Sequence, residues 1–171
     1  YDWLGNIVET DDDAHGFYDR SLGTATHDSS RPYRLQAANN ATQSPPNGSG
    51  QASVKYDAAG NVTYVTVLRT GTCLPTGGNC NQQYRYEWDE VGHLVRARRW
   101  DNVTTAQLNA PATGPVAVDL RYRYDASDQR VLKRSYVSSN SSRTTGSIFD
   151  SLELRRSNYT GSPADYALTS S

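Results

Sequence analysis

The chain has 171 residues, 36% of them hydrophobic, and its 17 Lys and Arg balance 18 Asp and Glu to a net charge of −1. That length suits one domain, and the balance supplies neither the basic excess nucleic acid calls for nor a single-sign field for steering. No uninterrupted apolar run exceeds three residues, which excludes a transmembrane helix and a signal-peptide core within the sequence; with two Phe and no Met, the 12 Tyr must supply much of the buried surface.

The first seven residues, Tyr1-Asp2-Trp3-Leu4-Gly5-Asn6-Ile7, set out a pattern of aromatic, Asp, two spacers, Gly, polar residue and aliphatic residue. It returns at Tyr56-Asp57-Ala58-Ala59-Gly60-Asn61-Val62 and at Trp88-Asp89-Glu90-Val91-Gly92-His93-Leu94. A weaker copy begins at Tyr124-Asp125, has Asp128 at the Gly position and carries one extra residue before Val131. Tyr18-Asp19, Trp100-Asp101 and Phe149-Asp150 repeat the opening pair alone. With 17 aromatic residues and 14 Asp, random order would place Asp after an aromatic about 1.4 times; it does so seven times, so a repeat architecture is indicated. Mechanically, an Asp opening a tight turn accepts hydrogen bonds from backbone two or three residues on, and a Gly three residues later enters the left-handed region without a clash. The product is a β-hairpin in which the aromatic ends the incoming strand. Asp128 strains its turn only modestly, because Asp tolerates positive φ. A chain that opens inside a repeat reads as an internal piece of something longer.

Further along, Asp11-Asp12-Asp13 lacks the alternating spacing and distal Glu of an EF-hand and reads as a solvated turn. Residues 24–53 are rich in Thr, Ser, Asn, Gly and Pro, with Ser44 to Gly50 the clearest loop; Leu35-Gln36-Ala37-Ala38 fits a strand or one helical turn equally. The legible strands follow. Val54 and Tyr56 alternate with Ser53 and Lys55, residues 62–68 are β-branched and aromatic, and Tyr84 to Trp88 alternates aromatic with charged residues. Residues 116–124 place Val116, Val118, Leu120, Tyr122 and Tyr124 on one face, and Ala117, Asp119, Arg121 and Arg123 on the other. The returning strands, 94–100 and 131–137, alternate less cleanly and carry more positive charge. The whole chain, 1–171, is thus an all-β segment of antiparallel hairpins with surface insertions at about 39–53, 70–83, 101–115 and 138–147, tolerable because loop-closure entropy grows only logarithmically. No segment forms an amphipathic helix to cover the apolar face, which needs a second layer or self-closure.

Chemistry-bearing patterns are few. His15, His27 and His93 are far apart, no Cys-x-x-Cys is present, and no nucleophile elbow or phosphate-binding glycine loop occurs, so no catalytic, cofactor or metal residues are assigned. Cys73 and Cys80 flank a loop of turn formers; a disulfide there would stabilise by about 2 kcal/mol and imply an oxidising compartment. Six Asn-x-Ser/Thr sequons, at Asn40, Asn47, Asn61, Asn102, Asn140 and Asn158, read as by-products of polar linkers in a bacterial chain and as glycan acceptors in a eukaryotic secreted one.

Tyr-Asp-x-x-Gly repeats punctuated by variable loops resemble the YD-repeat or Rhs family, which includes shell proteins of bacterial toxin complexes and, more distantly, teneurins. The resemblance rests on Tyr1, Asp2 and Gly5; Tyr56, Asp57 and Gly60; Trp88, Asp89 and Gly92; and Tyr124 and Asp125, with Phe17 to Gly23 and Phe149 to Arg156 similar to further segments of bacterial members. It implies a spiral of hairpins wound into a hollow β-cocoon that encloses a toxic C-terminal domain until delivery. The family's self-cleaving segment, with its paired Asp residues and Asp-Pro-x-Gly signature, has no match here, nor has any toxin domain. The expectation is a non-enzymatic shell segment, secreted or at a bacterial surface. Its partners would be the rest of the shell, the enclosed effector and a delivery apparatus, with no nucleic acid and no membrane insertion. The alternative is a teneurin-like or bacterial adhesion or carbohydrate-binding module.

Overall fold

The computed structural model of the chain describes residues 2–4, 6, 8–10, 23–40, 50–70, 80–138, 141–149, 152–159 and 166–167. Among these it is all-β. The strands are β1 (Glu9–Thr10), β2 (Gly23–Asp28), β3 (Arg31–Asn39), β4 (Gly50–Tyr56), β5 (Val62–Arg69), β6 (Gln82–Trp88), β7 (Leu94–Asp101), β8 (Val118–Tyr124), β9 (Arg130–Ser138), β10 (Ser141–Phe149), β11 (Leu152–Tyr159) and β12 (Tyr166–Ala167). They are hydrogen-bonded in chain order in one open antiparallel sheet, the arrangement that short connections favour. The one helical element among the described residues is a single 3-10 turn, Thr105–Gln107.

Several sequence expectations need correction. The polar stretch 24–53 holds β2, β3 and the start of β4, and Leu35 to Ala38 are strand. Small residues conceal this. Ala37 pairs with Thr26 on one side and Ser53 on the other, so ladder bonds on both edges replace the apolar alternation that would have announced a strand. The insertion expected at 39–53 therefore lies between Asn39 and Gly50, that at 70–83 ends before Gln82, and 41–49 and 71–79 are outside the described residues. The segment 138–147 is not an insertion: Ser141–Phe149 form β10, paired on both sides by β9 and β11. Its Ser, Thr and Gly supply ladder hydrogen bonds as well as apolar residues do. In 116–124 the expected alternation in burial holds from Leu120 onward, with Asp119 half-buried against Arg96, while Val116 is 40% exposed and precedes the strand.

Two compact units divide the chain, Tyr1–Tyr84 with Trp100–Gly114, and Arg85–Arg99 with Pro115–Ser171. In the first, residues 101–114 are the expected insertion between β7 and β8, largely exposed but not a free loop. They cross back over the sheet face as a strap, burying Val103 and Ala112 against Trp100, with Leu68 packed alongside. The strap is held by Gln83 of β6, only 1% exposed. Its amide nitrogen donates to Thr66 Oγ1 (2.8 Å), Ala110 O (2.9 Å) and Gln107 O (3.0 Å), and its Oε1 accepts from Ala112 N–H (2.6 Å). Trp100 Nε1 donates to Gly114 O, Val103 N–H to Asn81 O and Ser53 Oγ to Asn109 Oδ1. A buried amide is tolerable only when satisfied on both ends, and here its bonds fix the strap over strands of the first unit.

Candidate functional site in the recurring turns

The predicted turn residues form one repeated hydrogen-bonded unit. In the β4–β5 turn, Asp57 Oδ1 accepts from the backbone N–H of Gly60 (2.7 Å) and Asn61 (2.8 Å), and Oδ2 accepts from Asn61 Nδ2 (3.1 Å). Asp57 N–H donates to Asn61 O and Gly60 N–H to Asp57 O, closing a five-residue loop. Gly60 takes φ +104°, which L side chains rarely adopt, and a Cβ there would lie 2.5 Å from Arg34 Nη2. The β6–β7 turn copies this: Asp89 Oδ1 accepts from Val91 N–H (3.1 Å) and His93 N–H (2.7 Å), with Gly92 at φ +92°. At the β8–β9 turn Asp125 Oδ1 accepts from Ser127 N–H (2.8 Å) and Gln129 N–H (3.0 Å), and Asp128 occupies the glycine place at φ +62°. Asp2 holds Leu4 and Asn6 in the same way, both at 2.9 Å; Tyr1 and Gly5 lie outside the described residues.

One detail of the fourth copy is corrected. Its extra residue is not in the turn. Tyr124 pairs with Arg130 as Tyr56 pairs with Val62, and both hairpins shift register one step further on, between Arg123 and Tyr124 and between Lys55 and Tyr56. Arg130 thus takes the place of Val62, and Val131 that of Thr63 at the bulge. The recurring unit is a capped turn plus a bulge, and its first return residue need not be aliphatic.

The motif tyrosines tie each hairpin to its predecessor. Tyr56 hydroxyl donates to Leu35 O of β3 and Tyr124 hydroxyl to Leu94 O of β7, both at 3.0 Å. Tyr56 lies beneath the Arg34 guanidinium, whose carbon is 5.2 Å from the ring centroid. Tyr124 stacks on His93, centroids 4.4 Å apart and planes 17° from parallel. His93 Nδ1 meets Asp89 Oδ2 at 3.1 Å and Nε2 meets Asp128 Oδ1 at 3.3 Å, so an imidazole of one turn touches carboxylates of its own turn and the next. Trp88 ends β6 at the corresponding place, without a hydroxyl to donate.

The carboxyls of Asp2, Asp57 and Asp89 titrate low. For Asp2 the Asn6 side-chain bond is the leading cause, and for Asp89 it is the His93 backbone N–H. At Asp57 burial, the largest single influence, pushes upward, but the bonds from Asn61, Gly60 and Ala59 together outweigh it. Elsewhere in the second unit an ion-pair ladder runs across strands. Arg96 is bidentate to Asp119 (2.7 and 2.9 Å), Arg98 meets Glu87, and Arg121 sits 3.6 Å from Asp119 and over the Tyr136 ring. The Arg96 side-chain bonds hold the Asp119 carboxyl below its ordinary range. This ladder neutralises Arg96 and Arg98 of the returning strand β7.

Sequence reasoning missed Gln83 and the Asp28 turn. In the latter, Asp28 Oδ1 accepts from Ser30 N–H (2.9 Å) and Ser30 Oγ (2.7 Å), and His27 stands where the motif has an aromatic. A search for His-Asp as well as aromatic-Asp pairs would have found it. Cys80 is buried and no free cysteine occurs among the described residues, while Cys73 lies outside them. Nor do the described residues hold a group of three or more His, Cys, Asp or Glu suited to a metal, or a helix long and apolar enough to cross a membrane. Compared with protein-family models and with curated proteins, the chain finds no match.

Proposed function

We propose that this chain is a non-catalytic structural segment of an Rhs or YD-repeat type shell, whose work is to confine and shield an effector until delivery. The observation that carries the reading is the repetition of one Asp-capped turn, bulge and tyrosine tie, which lets hairpins be added side by side along the chain. On this reading the sheet is a stretch of a spiral wall, its partners are the rest of the wall and the enclosed effector, and it works outside a bacterial cell or at its surface. The Cys73–Cys80 disulfide belongs to the same proposal. Mass spectrometry of the non-reduced chain should find no free thiol, and two free thiols would remove it.

The test is made in the longest natural chain that contains these residues. Tyr124→Ala and Gly60→Val should each open the wall locally, so that limited proteolysis reaches the enclosed domain faster than in the parent. Digestion at the parent's rate in both would overturn the reading. An adhesion or carbohydrate-binding module is the second reading, favoured by Trp3 at 90% exposure on the first turn and Tyr33 at 71%, near residues joined by the Asn6 Nδ2 to Pro32 O bond. Glycan binding lost on Trp3→Ala, with proteolysis unaltered in the wall variants, would favour it instead.

A further inference from the structure

In the second unit Arg96, Arg98 and Arg121 meet carboxylates, whereas among the described residues Arg123, Arg134 and Arg143 do not. One trough brings such cations together with hydroxyl groups. Arg130, Lys133, Thr145, Ser147, Glu153 and Arg155 line a cavity of about 300 Å³. The registers explain its shape, since Lys133 pairs directly with Thr145, and Ser147 with Glu153. Residues two apart on a strand share a face, so the short hydroxyl side chains of Thr145 and Ser147 on β10 make the floor. Longer cationic side chains from β9 and β11 make the walls. On β8, Tyr122 is the register partner of Lys133, and its ring centroid lies 5.7 Å from the Arg130 guanidinium carbon.

Three cations here face one carboxylate, and Glu153 Oε2 already accepts from Arg155 Nε at 2.9 Å. Among the described residues neither Arg130 nor Lys133 has a carboxylate partner. Like charges gathered over a surface of hydroxyl donors repel unless an anion lies between them, and ammonium, guanidinium and hydroxyl groups together match an oxyanion's acceptors. We propose that this trough is a binding site for a ligand bearing phosphate- or sulfate-type oxyanions. Lys133 and Arg130 take its charge, and Thr145 and Ser147 donate to its oxygens. The inference is independent of the confinement role and survives or fails without it.

The experiment titrates sodium pyrophosphate, and separately sodium sulfate, into the 171-residue chain at low ionic strength, read by calorimetry and by backbone amide shifts. At least one anion should bind saturably, with shifts centred on residues 145–147. Lys133→Gln should weaken that binding about tenfold, the loss of one charge-assisted hydrogen bond. Glu153→Gln should tighten it, because Arg155 is released to the ligand, and Lys55→Gln, on the other unit, should leave it unchanged. Lys133, Glu153 and Lys55 are exposed or half-buried, and each variant is checked for an unaltered amide spectrum. No saturation by either anion below about 10 mM, or equal affinity in the parent, Lys133→Gln and Glu153→Gln, would overturn the proposal.

Discussion

Asp57 uses both carboxylate oxygens inside its own loop, Oδ1 accepting from the backbone N–H of Gly60 and Asn61 and Oδ2 from the Asn61 side-chain amide. That local economy has a pH signature. The carboxyls of Asp2, Asp57 and Asp89 titrate below the ordinary 3.8 in the folded chain. Their ionised forms therefore contribute stability that is fully present above about pH 4 and is lost as pH falls through the folded values. Urea midpoints measured from about pH 5 to about pH 2 should fall steeply for the parent. Asp57→Asn should start lower at pH 5 and fall less steeply, since one proton-linked group is gone; parallel curves would show that the cap carries no such linkage. The four caps were legible in sequence because their bonds span at most four residues. The equivalence of Arg130 with Val62 was not, because it depends on register with the partner strand.

At the scale of an element, the strap 101–114 changes the sheet from a one-layer ribbon into a two-layer packing around Trp100. In sequence it looked like a surface insertion, and Gln83 fell at the end of the insertion expected at 70–83. A buried glutamine is recognisable only once the four groups it joins are brought together from residues 66 to 112. Gln83→Leu keeps the volume and removes every bond, leaving Thr66 and strap backbone groups unpaired. It should cost about 3 kcal/mol by urea denaturation and admit protease cleavage near residues 104–111. If cleavage there stays as slow as in the parent, apolar packing alone holds the strap. β10 was hidden for the complementary reason: a run of Ser, Thr and Gly has no apolar rhythm, yet it pairs on both edges.

Among the described residues the strand pairs in closest contact are consecutive in chain order, so stability is built from neighbour terms, as between stacked repeats. Damage should then stay near its origin. Trp100→Ala removes the centre of the first unit's buried cluster and should cost that unit about 3–5 kcal/mol. Hydrogen exchange should show protection lost through β4, β5 and the strap, while amides of β9 to β11 keep theirs. Uniform loss across all strands would mean one cooperative unit and would weaken the repeat view.

The amino-acid order alone determined the hairpins β4–β5, β6–β7 and β8–β9: an aromatic, a capping carboxylate and a residue able to hold positive φ act within five positions and need nothing distant. Only the tertiary structure decided what lies over the sheet, which polar residues are buried, and where cations gather without carboxylates. Those outcomes depend on register and on segments far apart in the chain, and a single hydrogen-bonded glutamine or a one-residue bulge changes them without altering any local pattern.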